Sequence, residues 1–414
     1  MNDLKPFFKK ILELEEPWII KDISLNQKEW QIDIYLDFKI GSTFPCPVCQ
    51  KDSCKVHDTT MKTWRHLNIF QYKTYLHARV PRVKCPDHGT HLVDVPWTRK
   101  GSGFTLLFER FVMSLISLMP VASAARILDE WDTRIWRIAH HYVDKAVEEQ
   151  DVSELQSVGV DETAMRRGHR YISAFVDLAE KGAVFVTAGK GTETLENFKS
   201  FLEAHNGSHE NIRDISIDMS PAFISGVEEH FPKSRITFDK FHIIKLMNEA
   251  LDKVRRVEQK GNNELKKTRY IWLKNPENLT VAQKEALDQL VGSKNNLKTA
   301  LAWRIKLSLQ DIFTINPVLA PYFLKKWYWW ASHSQLEPIV KFAKTVKKHW
   351  EGILNYFKSR ITNGILESLN SLYKAAAAKA RGYRTVRNAI TAYYLVAGRM
   401  KSEFPEFCNI THYK

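Results

Sequence analysis

The spacing of apolar positions changes period along the chain, and the changes divide it. A short helix-like piece, Leu4 to Leu14, comes first. Trp18-Ile19-Ile20 and the run Trp30 to Phe38 alternate with period two, the pattern of half-buried strands. Trp64 to Val83 reads as two more strands. From Phe104 the period becomes helical. Phe104, Leu107, Phe108, Phe111, Leu115 and Leu118 are expected on one face of a helix that Pro120 ends. Val121 to Leu128 is a second short helix, with Ala122, Ala124 and Ala125 small enough for close packing. Asp129 to Asp132 turns the chain, and Thr133 can cap a third helix carrying Arg134, Trp136, Arg137, His140 and His141. Helix, short turn and basic helix is the order of a helix-turn-helix, whose second helix enters the major groove. A plain three-helix bundle is the competing reading.

After Gln156 the period returns to two. The stretch Gln156 to Thr163 is a short apolar strand with the acid Asp161 read at its end. Tyr171 to Leu178 and Ala183 to Ala188 are strands joined by a turn. Thr192 to Ala204 is an amphipathic helix with Leu195, Phe198, Phe201 and Leu202 on its apolar face. Asp214 to Asp218 is a second strand ending in an acid, with a helix just after it. Arg235 to Asp239 is one more strand, running into a helix from Lys240 to Val257. Three strands, helix, strand, helix, strand, helix is an RNase H-like α/β layout. Residues 258–345 are Lys-rich and helical, with turns at Asn275-Pro276 and at 291–296, and read as an all-helical insertion. Residues 346–400 return as closing helices. Within the insertion, Trp272, Trp303, Trp327, Trp329 and Trp330 supply large apolar surfaces, and the run Lys325 to Trp330 suits either a core or stacking on bases. No internal repeat is visible, low complexity is confined to Ala375 to Ala378, and the residues around Cys408 are uninformative.

Composition narrows the class. At 414 residues the chain is too long for one ordinary core, and 44% hydrophobic with 12% aromatic residues argues against disorder. A net charge of +14 points to a polyanionic partner, most often nucleic acid. No secretory signal is visible. The longest apolar stretch, Val112 to Ala125, is too short for a bilayer and contains Pro120, so no membrane partner is expected. Five cysteines do not make a disulfide scaffold, but four fall between Cys46 and Cys85. Cys46 and Cys49 form a Cys-x-x-Cys knuckle, half of a tetrahedral zinc site. Cys85 and His88 are the simplest second half, giving one structural Zn²⁺ in a strand-based ribbon. Cys54 and His57 share the Cys-x-x-His spacing and compete for it.

The expected organisation is therefore a β-rich zinc-binding domain over 1–98 and a helix-turn-helix domain over 99–150. An RNase H-like domain follows in two parts, 151–257 and 346–414, around a helical insertion at 258–345. Arg134 and Arg137 are the candidate DNA contacts of the helix-turn-helix.

Asp161 and Asp218 stand at strand ends, where chemistry collects in such sheets. A lone Asp there is more simply a cap or turn residue. A third acid shifts the balance. Between Lys341 and Arg387 lie eleven Lys or Arg and two acids, Glu351 and Glu367. Phosphodiester chemistry needs an activated oxygen nucleophile and neutralised charge, which two Mg²⁺ (or Mn²⁺) ions can supply. Such a site needs one bridging carboxylate and one more for each ion. Asp161 is the natural bridge, with Asp218 and Glu367 completing the set. Glu367 is read as six residues past a helix start. Lys374, Lys379, Arg381, Arg384 and Arg387 would grip phosphates.

Several motifs then combine: Cys-Pro-x-Cys, Pro-Arg-Val-Lys-Cys-Pro-Asp-His-Gly at 81–89, Val-Gly-Val-Asp-Glu-Thr from Val158, and Asp239-Lys240-Phe241-His242. Thr-Asn-Gly-Ile-Leu-Glu-Ser-Leu-Asn at 362–370 and Ala-Arg-Gly-Tyr-Arg at 380–384 complete the set. Together they resemble the ISL-three family of bacterial insertion-sequence transposases, within the DDE superfamily, over almost the full length. The resemblance implies a catalytic triad of Asp161, Asp218 and Glu367. It implies binding of double-stranded DNA at inverted repeats, cleavage by metal-activated water and joining of the freed 3′ hydroxyl to target DNA. A homodimer or larger assembly on DNA and a bacterial cytoplasmic, nucleoid-associated location are expected. Asp239 and His242 match an Asp-x-x-His motif of related transposases, and with Asn363 they are candidates for supporting the site. A capping Asp with a packed His is the plainer reading. A Cys-x-x-Cys is also common where this chain has Cys85 and His88. The competing functions are a catalytically silent DNA-binding regulator and a structure-selective nuclease on the same fold.

Overall fold

The computed structural model describes residues 4–165, 170–292, 296–359, 361 and 363–398. Part of the turn expected at 291–296, Thr362 of the 362–370 motif, and the chain beyond 398 with Cys408 lie outside the described residues. The described chain forms two compact units, one up to His141 and one from Tyr142.

The first unit opens with α1 (Lys5–Ile11), β1 (Trp18–Asn26), β2 (Gln31–Phe38) and β3 (Thr43–Phe44). The long β4 (Cys54–Ile69) and β5 (Tyr72–Cys85) follow, then β6 (Gly89–Leu92). They make one sheet in the order β1-β2-β5-β4-β3, with β6 paired to β5. The period-two alternation in β2 buries Ile32, Ile34 and Leu36. Trp18, Trp64 and Trp97 close the core edge to face, with Trp18 4.8 Å and Trp64 5.7 Å from Trp97 between ring centroids.

Three helices complete this unit: α2 (Leu106–Leu118), α3 (Val121–Leu128) and α4 (Asp132–Glu148), the last running on into the second unit. The face of α2 differs from the expected one. Phe108, Val112, Met113 and Ile116 are buried, whereas Leu118 is 76% exposed. The segment is apolar around most of its circumference, so periodicity alone does not choose a face. The choice is made by polar groups. Thr105 caps the helix by accepting from the Phe108 N–H, and buried Glu109 accepts from Arg99 and Ser102. Helix α4 begins at Asp132, so Thr133 lies in its first turn rather than capping it. His66 and Thr105 share a 2.8 Å hydrogen bond, and Arg65 pairs with Glu130, which tie the sheet to the helices.

The second unit contains β7 (Ser157–Ala164), β8 (Tyr171–Asp177), β9 (Gly182–Ala188), α5 (Glu193–Ala204), β10 (Asp214–Ile217), α6 (Pro221–His230) and β11 (Arg235–Phe238). The sheet order is β11-β10-β7-β8-β9. The β7-β8-β9 pairings are antiparallel, and β10 is parallel to both β7 and β11. The expected strand end at Asp161 is corrected: β7 continues to Ala164. The reason lies in its two neighbours. Parallel pairing to β10 stops near Gly159, while β8 pairs with β7 as far as Ala164. Asp161 therefore sits where one neighbour has ended and the other continues.

Helices then dominate: α7 (Lys240–Glu258), α8 (Arg269–Leu273), α9 (Val281–Gly292), α10 (Lys298–Ile312), α11 (Ala320–Ser332), α12 (Glu337–Lys348), α13 (Trp350–Ser359), α14 (Gly364–Lys379) and α15 (Val386–Ala397). One hydrophobic cluster runs from Val152 in front of the sheet through these helices to Phe357. Trp272 and Trp327 are fully buried in it. The Trp327 indole donates to the Ile305 carbonyl at 2.9 Å, which commits this ring to the core. Trp329, by contrast, is 64% exposed. Buried Lys306 donates to the carbonyls of Trp272, Leu273 and Lys274, closing the end of α8. Helix α15 packs on β9, where the Tyr394 hydroxyl accepts from the Val186 N–H. No described helix is long and apolar enough to cross a membrane.

Candidate functional site

Two clusters carry the chemistry, one in each unit. In the first, Cys46 and Cys49 come from the tight turn after β3, Cys85 from the last residue of β5 and His88 from the turn into β6. Their ligand atoms lie within 4.8 Å of one another, the one such group among the described residues. Cys49 Sγ is 3.8 Å from Cys85 Sγ, and Cys85 Sγ is 3.6 Å from His88 Nδ1. A tetrahedral zinc with bonds of about 2.3 Å to sulfur and about 2.0–2.1 Å to nitrogen requires edges of about 3.8 and about 3.5 Å. The donor set and its spacing fit. Cys54 is buried but its thiol donates to the Lys51 carbonyl, and His57 lies against Asp58. Neither belongs to the cluster.

In the second unit, Asp161 is held on β7 and Asp218 follows β10 by one residue. The parallel register pairs Ser216 with Gly159, so Asp218 comes level with Asp161. The Asp161 carboxylate accepts from the Glu162 N–H and from Asn370 Nδ2, both at 2.8 Å. Asp218 accepts from the Ser220 N–H at 2.9 Å in the turn that starts α6. Burial raises the Asp161 carboxyl above its ordinary value, and the Asp218 charge adds to this, while the Glu162 N–H and the His242 charge work against it. Glu162 is likewise raised, by burial first and then by Asp218 and Asp161, against Lys190.

Glu367 sits in the first turn of α14, which starts at Gly364, not six residues before the acid as expected. The helix begins where Asn363 takes the N-cap position, and the Glu367 N–H bonds the Asn363 carbonyl at 2.9 Å. Gly159 lets α14 come down on β7: a side-chain carbon there would collide with Leu366. Glu367 is exposed, and its carboxyl is raised by burial of its inner side, then by Asp239 and Asp161.

Asp239 occupies the N-cap position of α7 but makes no side-chain cap. Its carboxylate instead faces His242 Nδ1 at 3.2 Å and accepts from the Asn363 N–H at 3.4 Å. That contact raises the His242 pKa most, followed by the charges of Asp161 and Asp218, with burial opposing. Asn363 is 1% exposed, and neither atom of its side-chain amide has a hydrogen-bond partner. Asp161, Asp218, Asp239, His242 and Glu367 thus form one electrostatic group drawn from β7, β10, α7 and α14. The acids do not share the tight spacing of the thiolate cluster. In a two-ion site the two carboxylates on different ions have no need of it, whereas each must approach the bridging one closely. Asn370 and Tyr393, which donates to Asn370 Oδ1 at 3.0 Å, went unread in the sequence. Asn370 could have been found, because it follows Glu367 by three residues on the same helix face. Tyr393 offers no local signal.

The basic candidates are dispersed. Arg134 pairs with Glu130 at 2.5 Å and lies 4.2 Å over the Phe104 ring, while Arg137 is exposed. Lys374, Lys379, Arg381 and Arg384 are exposed at the end of α14 and in the turn after it. Arg387 is exposed too, but pairs with Asp144 at 2.6 Å.

A sheet with acids gathered at one end, joined in sequence to a thiolate-rich ribbon and a helix-turn-helix, matches a known class in the same order. Residues 42–88 match a zinc-finger of insertion-sequence transposases, and residues 93–143 the helix-turn-helix domain of transposase family ISL3. Residues 158–393 match the transposase model of the same family. The chain belongs to the ISL3 family of transposases. It is 27% identical to the transposase for insertion sequence element IS1001 of Bordetella parapertussis, over 91% of this chain and 95% of that one. It is also 27% identical to the transposase for IS1557 of Mycobacterium tuberculosis, over 83% of each chain, in two strains.

Proposed function

We propose that this transposase binds the inverted-repeat ends of its insertion sequence and catalyses metal-dependent cleavage and joining of DNA. On this reading the domain of the second unit is RNase H-like. Its antiparallel β7-β8-β9 and parallel β10 and β11 support that assignment, as does a helical stretch set between α7 and α14 as an insertion. The five-part division at 98, 150, 257 and 345 belongs to the same proposal. The observation that carries the reading is the electrostatic grouping of Asp161, Asp218 and Glu367 from three separate elements of a family-typed domain.

Asp161 would bridge two Mg²⁺ or Mn²⁺ ions, with Asp218 on one and Glu367 on the other. Bound there, the ions would activate water or a 3′ hydroxyl and neutralise charge on the phosphate. His242, held by Asp239, offsets the acids' mutual repulsion. Asn363 presents an unsatisfied amide beside them. Lys374, Lys379, Arg381, Arg384 and Arg387 grip backbone phosphates, and Arg134 and Arg137 serve the helix-turn-helix. One structural zinc on Cys46, Cys49, Cys85 and His88 fixes the ribbon. Work on paired ends calls for a dimer or larger assembly, in a bacterial cytoplasm at the nucleoid.

The test uses a plasmid carrying the element's two ends and a separate target. Wild type should cut at the ends and join them when Mg²⁺ or Mn²⁺ is present. Glu367→Gln should lower the cleavage rate by at least about 100-fold, the scale of several kcal/mol of lost charge stabilisation, with end binding retained. Normal cleavage by Glu367→Gln would sink the assignment. A wild type that binds without cutting would mark a regulator, and one that cuts without joining a nuclease.

A further inference from the structure

Asp161 does not stand alone on its strand. The Tyr393 hydroxyl on α15, the Asn370 amide on α14 and the Asp161 carboxylate on β7 form a chain of hydrogen bonds, 3.0 and 2.8 Å long. Tyr393 is fully buried and Asn370 is 3% exposed. We propose that Asn370 and Tyr393 are positioning residues that set the rotation of the Asp161 carboxylate, leaving each of its oxygens one open lone pair for a metal ion. This rests on the proposed role of Asp161 as a metal bridge.

The direction of the chain follows from the groups. An amide has one accepting and one donating end. A carboxylate tolerates only the donating end, so Asn370 Nδ2 faces Asp161 Oδ2 and Oδ1 is left to accept the Tyr393 proton. The other Asp161 oxygen, Oδ1, takes the Glu162 N–H at 2.8 Å. Each carboxylate oxygen has about two lone-pair sites. With one used on each, one remains on each, which is what a carboxylate bridging two ions requires. Both donors are neutral. A lysine in place of Asn370 would hold the carboxylate at least as firmly, but its charge would repel the cations. The pair also joins three elements, so the turn of α14 that carries Glu367 is fixed to β7 by the same link. Outer partners of this kind commonly tune metal affinity by about 10–100-fold.

The test uses the full-length, zinc-loaded protein. Mn²⁺ binding is followed through the paramagnetic resonance signal of free Mn²⁺, and end cleavage is titrated with Mg²⁺. Tyr393→Phe keeps the ring and removes only the hydroxyl, and melting temperatures report on folding. Tyr393→Phe should weaken Mn²⁺ binding about tenfold, with cleavage restored at high Mg²⁺, and Asn370→Ala should weaken it further, up to about 100-fold. Wild-type Mn²⁺ affinity in a folded Tyr393→Phe protein would overturn the proposal. So would cleavage lost equally at every Mg²⁺ concentration with Mn²⁺ affinity unchanged, which marks a purely structural link. Should Asn370→Ala not fold, Tyr393→Phe decides alone. Asp161→Asn separates the two ideas. If it abolishes Mn²⁺ binding while Tyr393→Phe changes nothing, only the positioning role falls; if it leaves binding intact, the bridge reading falls and the positioning role with it.

Discussion

Burial works on opposite kinds of charge at two residues. At Asp161 it disfavours the anion, and the protein answers with two N–H donors. At His66 it disfavours the cation, helped by the neighbouring Arg65 charge, and pushes the pKa to about 4 from an ordinary 6.5. The sign for stability follows. Between those values the unfolded chain binds a proton that the folded chain does not. Stability therefore falls as pH drops from 6.5 toward 4, by up to roughly 3 kcal/mol. Urea midpoints measured at pH 7 and pH 4.5 should show the loss, and His66→Gln should reduce it. Equal losses in wild type and variant would contradict this account, since acid effects on the zinc ligands are common to both. Asp161, Asp218 and Glu367 stood out as candidates because an acid after an apolar run, or alone in a basic stretch, is conspicuous locally, although β7 runs past Asp161 to Ala164. The i, i+3 spacing from Glu367 could flag Asn370 itself, but its partner Asp161 lies 209 residues away, and no spacing rule names that contact.

At the scale of elements, the contact of α14 with β7 decides where Glu367 stands. Leu366 is fully buried against Gly159, so an added methyl has nowhere to push it except outward with its helix. Gly159→Ala should cost about 1–3 kcal/mol of stability and lower cleavage more than end binding. A melting curve and a cleavage assay on one preparation test this, and undiminished cleavage would show that α14 tolerates the shift. The strands and helices of the second unit were legible in order, because each keeps its own period. Their ends were less so. β7 outran its expected end because a strand stops where its partners stop, and those partners lie elsewhere in the chain. The face of α2 was misjudged because an all-round apolar helix is oriented by Thr105 and Glu109, whose partners periodicity does not reveal.

At the scale of the molecule, the two units place their chemistry separately, thiolates in the first and carboxylates in the second. Metal loss should act accordingly. Cys85→Ser removes one of the four proposed zinc ligands and should unfold the ribbon, weakening end binding at least about tenfold while leaving Mn²⁺ uptake by the second unit unchanged. Gel shifts and Mn²⁺ titration would show it. Loss of Mn²⁺ uptake in that variant would mean that the second unit does not hold its acids by itself.

During synthesis the ribbon and the helix-turn-helix leave the ribosome first, and Asp161 and Asp218 follow. Glu367 and Tyr393 arrive only with the closing helices. On the proposed function, a chain cut short before α14 keeps the parts that hold DNA and lacks the acid that completes the site. Such a fragment would occupy an element's ends and compete with the finished protein for them. Interrupted translation would then limit movement through the same reading frame that encodes the complete protein.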